Sequence, residues 1–333
     1  MIISKTPYRI SFFGGGTDYP AWLDNNKGEV LSTTINKYIY LTCRLRERYF
    51  DKNFRIIWSK LENVPKITDI EHNAVRNIFI NLKVNKPLEL HYDGDMPAQS
   101  GVGSSSTFVV GLTHILYSIQ GKKISKNFLA KKSIFFEQSI LKETVGLQDQ
   151  VAASYGGFNN IIFNKRNFTV KKFKFKENQK RKLNSNLIIM YLGHRKTTAN
   201  QIAKSYINNL NLKKNHKKLI SIYESVSIAK KLLLSGKLDD FGRLIGEVWE
   251  KKREIGDNIS NNFIDNIYKN ALRKGALGGK LLGAGGGGFF LFYVKKKKQS
   301  EFKNFFKKFI FTDFEFDNLG SQILYNDEKK IKF

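Results

Sequence analysis

The sequence predicts an α+β protein of two similar-sized lobes. Strand-like and helix-like segments occur in both halves of the chain without strict β–α–β alternation. A polar stretch, KENQKRKLNSN at 176–186, separates two halves that each carry strands. A chain of 333 residues with 41% hydrophobic content is larger than one ordinary domain and can bury a sizeable core. The expected division is therefore an N-terminal domain over 1–180 and a C-terminal domain over 181–333.

In the first half, YRISFF (8–13), EVLSTTI (29–35), YIYLTCR (38–44) and LELHY (88–92) are rich in β-branched and aromatic residues and read as strands. Between 108 and 120 the residues Phe108, Leu112, Ile115, Leu116 and Ile119 recur at helical spacing. The β-rich patch NNIIF and FTVKKFKF at 159–175 closes this half. After the polar stretch, LIIMYL reads as a strand, followed by amphipathic helices at about 199–211, 216–235 and 238–254. The last of these places Leu238, Phe241, Leu244, Ile245, Val248 and Trp249 on one face. A helix near 260–274 precedes GGKLLGAGGGGFFLFYV, and the tail reads as helix then strand.

Composition narrows the partners. Cys43 is the single cysteine, so no internal disulfide framework exists. The N-terminal segment is interrupted by Lys5 and Arg9 and does not read as a signal peptide, and no apolar run approaches ~18 residues, so a cytoplasmic protein with no membrane partner is expected. The net charge of +28 fits either a polyanionic partner such as nucleic acid or simple compositional drift, since Lys is spread almost evenly. The cluster Lys295–Lys298 reads as a solvated turn.

Glycine is concentrated in GGGTD (14–18), SGVGSSS (100–106) and GAGGGG (283–288). The middle stretch opens directly onto the helix at 108, with Ser104, Ser105, Ser106 and Thr107 where N-cap residues belong. A glycine-rich loop entering a helix N-terminus is an anion site. It is not a P-loop, because none of the Gly-Lys pairs has the required earlier glycine and following hydroxyl. Gly283, Gly285 and Gly288 match the dinucleotide spacing, but a strand follows them where that fingerprint demands a helix. A helix N-terminus offers about half a positive charge, worth ~0.3–2 kcal/mol, too little to neutralise a triphosphate. A nucleotide loop of this kind needs a metal and fixed cations. Downstream, Glu137 and Asp149 are the acidic residues in range, in FFEQSILKETVGLQDQVAASYGGF. Taken singly, each also fits a solvated helix residue or an N-cap.

PYRISFFGGGTD, PAQSGVGSSSTF, the DQ segment and KLLGAGGGGFFLFY occur in this order from residue 7 to residue 293. On these motifs the chain resembles the GHMP kinase family of galactokinase, homoserine kinase, mevalonate kinase and phosphomevalonate kinase. The resemblance implies a two-lobed fold, with a ribosomal-protein-S5-like N-terminal lobe and an α/β-plait C-terminal lobe. It implies ATP and Mg²⁺, with the backbone of Gly101, Val102, Gly103, Ser104, Ser105 and Ser106 wrapping the β- and γ-phosphates. Ser105, with Ser104 as a further candidate, and Glu137 would hold Mg²⁺. Asp149 would meet the acceptor hydroxyl as general base or orienting acceptor. Arg9 would stabilise the transferring phosphoryl group and hold Asp149 ionised. Gly15, Gly16, Thr17 and Asp18 would meet sugar hydroxyls, and Gly285 and Gly286 would let backbone approach the substrate.

Within the family the motifs are most similar to the heptose 7-phosphate kinases and their fucokinase-like relatives, since galactokinases carry GEHTDY where this chain has GGGTDY. The implied reaction is phosphorylation of the anomeric hydroxyl of a heptose 7-phosphate, on the way to a nucleotide-activated heptose. A kinase acting on an unphosphorylated sugar such as L-fucose is the alternative, and a nucleic-acid-binding protein a distant one. The implied partner is thus a small-molecule sugar or sugar phosphate, with no nucleic acid expected, bound by a monomer or homodimer. A second phosphate needs a cationic pocket. Arg195 and Lys196, before a helix start capped by Thr197 or Thr198, are candidates, and Arg44, Arg46 and Arg48 compete with them.

Overall fold

The computed structural model describes residues 1–327 except 48, 51, 166, 196–198, 211–212 and 257. Two sheets organise them. In the first, the strand Ile2–Phe13 runs antiparallel to Lys27–Leu45, with Ile2 opposite Cys43 and Phe13 opposite Leu31. Lys27–Leu45 merges the two expected strands at 29–35 and 38–44 into one of 19 residues. The polar residues between them keep their backbone paired, because Asn36 N donates to Glu315 O at 2.9 Å. Leu88–Gly94, Phe54–Ile57 and Leu61–Val64 extend the sheet on one side, and Asn159–Asn164 and Asn167–Lys172 join through the first half of Lys27–Leu45.

The second sheet runs Ile310–Thr312, Leu187–Tyr191, Phe289–Val294, Ala276–Leu281. Phe290 lies opposite Leu281 in antiparallel register, which makes the glycine run at 283–288 a hairpin loop. Short strands at the end of the chain return to the first sheet, with Phe316 opposite Ile35 and Asn326 opposite Ile2. Phe316–Asp317 and Gln322–Asn326, on the C-terminal side of the expected split at 180, thus pair with strands of the first sheet. The polar stretch at 176–186 is mostly the helix Glu177–Ser185, with Leu183 buried beneath it.

The expected helices are present as Ala199–Leu210, Lys213–Leu234, Leu238–Arg253 and Asn262–Arg273, the last capped by the Asn261 side chain on Ile264 N at 3.0 Å. The hairpin at 54–64 and the helix Asn73–Asn81 were not expected, because four-residue strands are too short to show a period. The lobes share one core. The Phe12 ring stacks on Phe158 at 5.5 Å and meets Phe241, from the C-terminal half, edge-on at 5.6 Å.

One irregularity positions the functional site. The pairing of Ile2–Phe13 with Lys27–Leu45 slips between Pro7 and Arg9, opposite Tyr38 and Thr34 respectively. Beyond the slip Arg9 still lies opposite Thr34, and its N–H donates to Val102 O at 3.1 Å in the glycine-serine loop. A bulge of this kind re-aims a side chain and ties the strand to what lies beside it.

Candidate active site

The loop at 100–103 turns into the helix Ser104–Ile119 through Gly103, whose φ of 82° is the left-handed conformation. Gly103 is the N-cap, so the helix begins four residues earlier than its apolar period suggests. The expected capping by Ser104, Ser105, Ser106 and Thr107 is not what forms: they occupy the first turn, and no side chain caps the helix. The reason is that Ser106 Oγ donates instead to Glu137, at 2.8 Å to Oε2. The first-turn N–H groups are left without side-chain caps, as an anion site requires.

Behind this loop lies the C-terminal glycine hairpin. Phe289 N donates to Ser100 O at 2.9 Å, and a Cβ on Gly101 would fall 2.3 Å from Leu282 O. Gly101 also has a φ of +89°. Gly101→Ala is accordingly expected to lose about 2–4 kcal/mol in urea unfolding. Gly193→Ala, at φ +100° with nothing within 4 Å of its Cβ, should lose only the backbone part.

Arg9 and Asp149 meet at the mouth of the loop. Arg9 Nε donates to Asp149 Oδ1 at 2.8 Å and Nη2 to Oδ2 at 2.7 Å, while Nη1 donates to Gly101 O at 2.6 Å. This is a bidentate, charge-assisted pair that fixes the plane of the carboxylate. Asp149 stands in the first turn of the helix Gln148–Tyr155, whose N-cap is Leu147, and its side chain is 23% exposed toward the cleft. It therefore has an oxygen face open to an acceptor hydroxyl.

Glu137 is fully buried, in a single π-helical turn over Phe136–Ile140. Its carboxylate accepts from Ser106 Oγ, from Ser105 Oγ at 3.3 Å and from Gln150 Nε2. Burial, and then the charge of Glu143, push its pKa up to about 8, against the pull of the Ser106 and Gln150 hydrogen bonds. Among the described residues no lysine or arginine pairs with it. A buried carboxylate without a counter-ion, beside two hydroxyl oxygens at a helix N-terminus, is a donor set that suits Mg²⁺. The residues fit the ion: Glu137 and Ser105 could hold it, with Ser106 orienting the carboxylate.

The cleft that holds this loop and the Arg9–Asp149 pair, about 190 Å³, is lined further by Ser11, Gly16, Asp18, Tyr206, Lys252 and Lys280, with Gly15, Tyr19 and Arg195 beside them. Asp18 is buried and accepts from Gly16 N at 3.0 Å, Gln148 N at 3.0 Å and Gln148 Nε2 at 2.9 Å. Burial and the charge of Asp149 raise its pKa, opposed by these donors. Among the described residues, Ser11 Oγ, Gln148 Oε1 and Tyr206 Oη at the cleft are buried and have no hydrogen-bond partner. Such atoms are costly unless a ligand meets them, and a polyhydroxylated one would.

Three of the expected substrate contacts lie elsewhere. Thr17 is buried behind the wall, its hydroxyl donating to Gly14 O at 2.8 Å. Gly285 and Gly286 pack on Ile259, Asn258 and Ile202, and Gly283 and Ala284 line the cleft in their place. The hairpin has turned away by that point, because Gly286 N donates to Ile259 O. Val102 is buried and serves through its carbonyl. Arg195 does reach the cleft, its Nε donating to Gln99 O at 2.8 Å. Its expected companions Lys196, Thr197 and Thr198, and Arg48 of the competing set, lie outside the described residues. Arg44 pairs with Glu89 at 3.2 Å, and Arg46 Nη1 donates to Asn63 Oδ1 at 2.8 Å, so neither lines the cleft. Lys252, Lys280, Tyr206 and Gln148 were not expected. Lys252 and Tyr206 sit on amphipathic helices, where nothing in the period distinguishes a cleft residue from a surface or core one.

Residues 70–157 match the GHMP kinases N terminal domain, and residues 229–310 match the GHMP kinases C terminal domain. The chain is 30% identical over 302 residues to D-glycero-alpha-D-manno-heptose 7-phosphate kinase of Campylobacter jejuni, covering 85% of this chain and 86% of that one. The chain belongs to the GHMP kinase family. Among solved GHMP-type structures, a D-glycero-D-manno-heptose 1-phosphate kinase from Bacteriodes thetaiotaomicron superposes with a TM-score of 0.77 at 23% identity, over 98% of this chain and 99% of that one. A putative sugar kinase from Campylobacter jejuni gives 0.73 at 26% identity, with 97% of each chain covered. The fold is thus the two-domain GHMP kinase fold, and the chain is a sugar kinase, a phosphotransferase acting on an alcohol group. Among the described residues no helix is long and apolar enough to cross a membrane.

Proposed function

We propose that this kinase transfers the γ-phosphoryl group of ATP to the anomeric hydroxyl of D-glycero-D-manno-heptose 7-phosphate, giving the 1,7-bisphosphate. The observation that carries this is the Arg9–Asp149 pair, set at the mouth of the uncapped helix N-terminus with the carboxylate facing a cleft of unpartnered polar atoms. Positioning and charge stabilisation account for most of phosphoryl transfer, and the site supplies both. The loop amides of 101–106 receive the β- and γ-phosphates. Ser105 and Glu137 would hold Mg²⁺, which when bound would neutralise phosphate charge. Asp149 accepts the hydrogen bond of the sugar hydroxyl and takes its proton as the oxygen attacks phosphorus. Asp18, Ser11, Gln148 and Tyr206 meet the remaining hydroxyls. Arg195 receives the 7-phosphate, a role supported by its place in the cleft and by the phosphorylated substrate named for the Campylobacter jejuni relative.

An ATP-consumption assay over heptose, hexose and fucose substrates, each with and without a terminal phosphate, tests this. Heptose 7-phosphate is expected to show the highest kcat/KM, and Arg195→Gln to raise its KM about 10–100-fold while leaving free sugars unchanged. Preference for an unphosphorylated sugar would overturn the substrate assignment.

A further inference from the structure

Lys252 lies where no sequence motif pointed. It is the next-to-last residue of the helix Leu238–Arg253, and its Nζ donates to Gly283 O at 2.7 Å. The helix can bring it there because it packs almost backbone to backbone on the second sheet: a Cβ on Gly278 would fall 2.1 Å from Gly242 O. Gly283 in turn touches the phosphate loop, its would-be Cβ lying 2.6 Å from Gly101 Cα. Gly101 O is the atom that accepts from Arg9 Nη1. Arg9 from the first sheet and Lys252 from the helix Leu238–Arg253 thus donate to two loops that touch each other at Gly101 and Gly283.

Their donors are engaged very differently. Arg9 has three of its five N–H groups committed, two to Asp149 and one to Gly101 O. Lys280, the other lysine of the cleft, directs its ammonium to Ser11 O and Phe12 O at 2.9 Å each and is 4% exposed. Lys252 uses one N–H of three, and among the described residues no carboxylate lies within ion-pair distance of it. The charged groups facing it are Arg9, Lys280, Asp18 and Asp149. Burial first, and then Arg9, lower its pKa to about 8 against the two aspartates. A half-buried ammonium beside another cation is stabilised by an incoming anion.

We propose that Lys252 is a catalytic residue that donates its two remaining N–H groups to non-bridging oxygens of the phosphoryl group in transfer. The proposal rests on the kinase reading above and adds a cation from the C-terminal lobe to it. In the step, a lone pair of the acceptor oxygen forms the new O–P bond. The bond from phosphorus to the bridging oxygen of ADP breaks, its electron pair leaving on ADP, and the hydroxyl proton passes to Asp149. Charge spreads over the three oxygens of the moving group, where the loop amides supply only neutral donors and Arg9 is largely engaged by Asp149.

The test compares Lys252→Met and Lys252→Arg with the wild type. It measures sugar phosphorylation and acceptor-free ATP hydrolysis between pH 6 and about 9.5, and MgATP affinity by calorimetry. Lys252→Met is expected to lose about 10²–10³-fold in kcat for both reactions, with the acceptor KM and MgATP affinity within about threefold. Lys252→Arg should recover at least about tenfold of that loss and abolish the fall in wild-type rate above about pH 8, since its charge does not titrate there. A Met variant within about threefold of wild-type kcat overturns the proposal. So does a loss confined to KM or MgATP affinity, or a loss that Arg does not relieve. A wild type that hydrolyses ATP yet phosphorylates none of the sugars overturns the functional reading instead, and the hydrolysis arm still decides the role of Lys252.

Discussion

Asp149→Asn is expected to bind MgATP normally and to lose about 10²–10⁴-fold in kcat. Asparagine keeps the size of the side chain but not its chemistry. One oxygen still accepts from Arg9, while the amide nitrogen now faces the guanidinium and cannot take a proton from the acceptor hydroxyl. Because the loop amides and Glu137 are untouched, nucleotide affinity measured by calorimetry should stay within about threefold, and the deficit should appear in kcat. An Asn variant retaining more than about a tenth of wild-type turnover would remove Asp149 from proton transfer and leave it an orienting role.

Glu137→Gln should produce the second largest effect, and in opposite directions for activity and for metal-free stability. The carboxyl of Glu137 has its pKa raised from 4.5 to about 8 in the folded protein. Between those values the folded state binds the proton that the unfolded state has released, so wild-type stability falls as pH rises from about 4.5 through 8. Glutamine has no charge to bury. Without Mg²⁺ at pH 9 the variant is expected to be more stable by about 3–5 kcal/mol, at ~1.36 kcal/mol per pKa unit, and at pH 5 the difference should shrink toward zero. Adding Mg²⁺ should restore wild-type stability at pH 9 and leave the variant unchanged, while kcat/KM for MgATP falls about 100-fold or more in the variant. Urea unfolding at pH 5, 7 and 9, with and without Mg²⁺, reads all of this. Parallel pH profiles for the two proteins would show that Glu137 is not the group responsible.

Much of the site was legible in the sequence because its signals are local. The left-handed turns at Gly101 and Gly103, the helix they open and the Ser104–Ser106 run are written within seven residues. The capping role expected for those serines did not form, because Ser106 is drawn to a carboxylate 31 positions away. A comparable limit applies to Thr17, Gly285 and Gly286. They sit inside the right motifs, yet the turn that places Gly16 at the cleft puts Thr17 behind its wall, and the hairpin that brings Gly283 and Ala284 to the cleft packs Gly285 and Gly286 on Ile259 and Ile202. Lys252 and Tyr206 gave no sequence signal, since a helix has room for lysine or tyrosine on many faces and only the neighbouring sheet decides which face meets the cleft.

By itself the sequence determined the α+β class, the helices of the C-terminal half and a lysine-free glycine-serine loop, and the resemblance carried by its motifs singled out Arg9, Glu137 and Asp149 as candidates for the chemistry. These follow from hydrophobic period, glycine conformation and motif order, which act over a few residues at a time. The tertiary structure alone decided that Arg9 grips Asp149 with two parallel hydrogen bonds and that Glu137 is buried with no lysine or arginine paired to it among the described residues. It alone returned strands near the end of the chain to the first sheet and tied Lys252 to the loop that touches Gly101. Partners 140 residues apart are chosen by which surfaces the packed core presents to each other, and no local pattern encodes that choice.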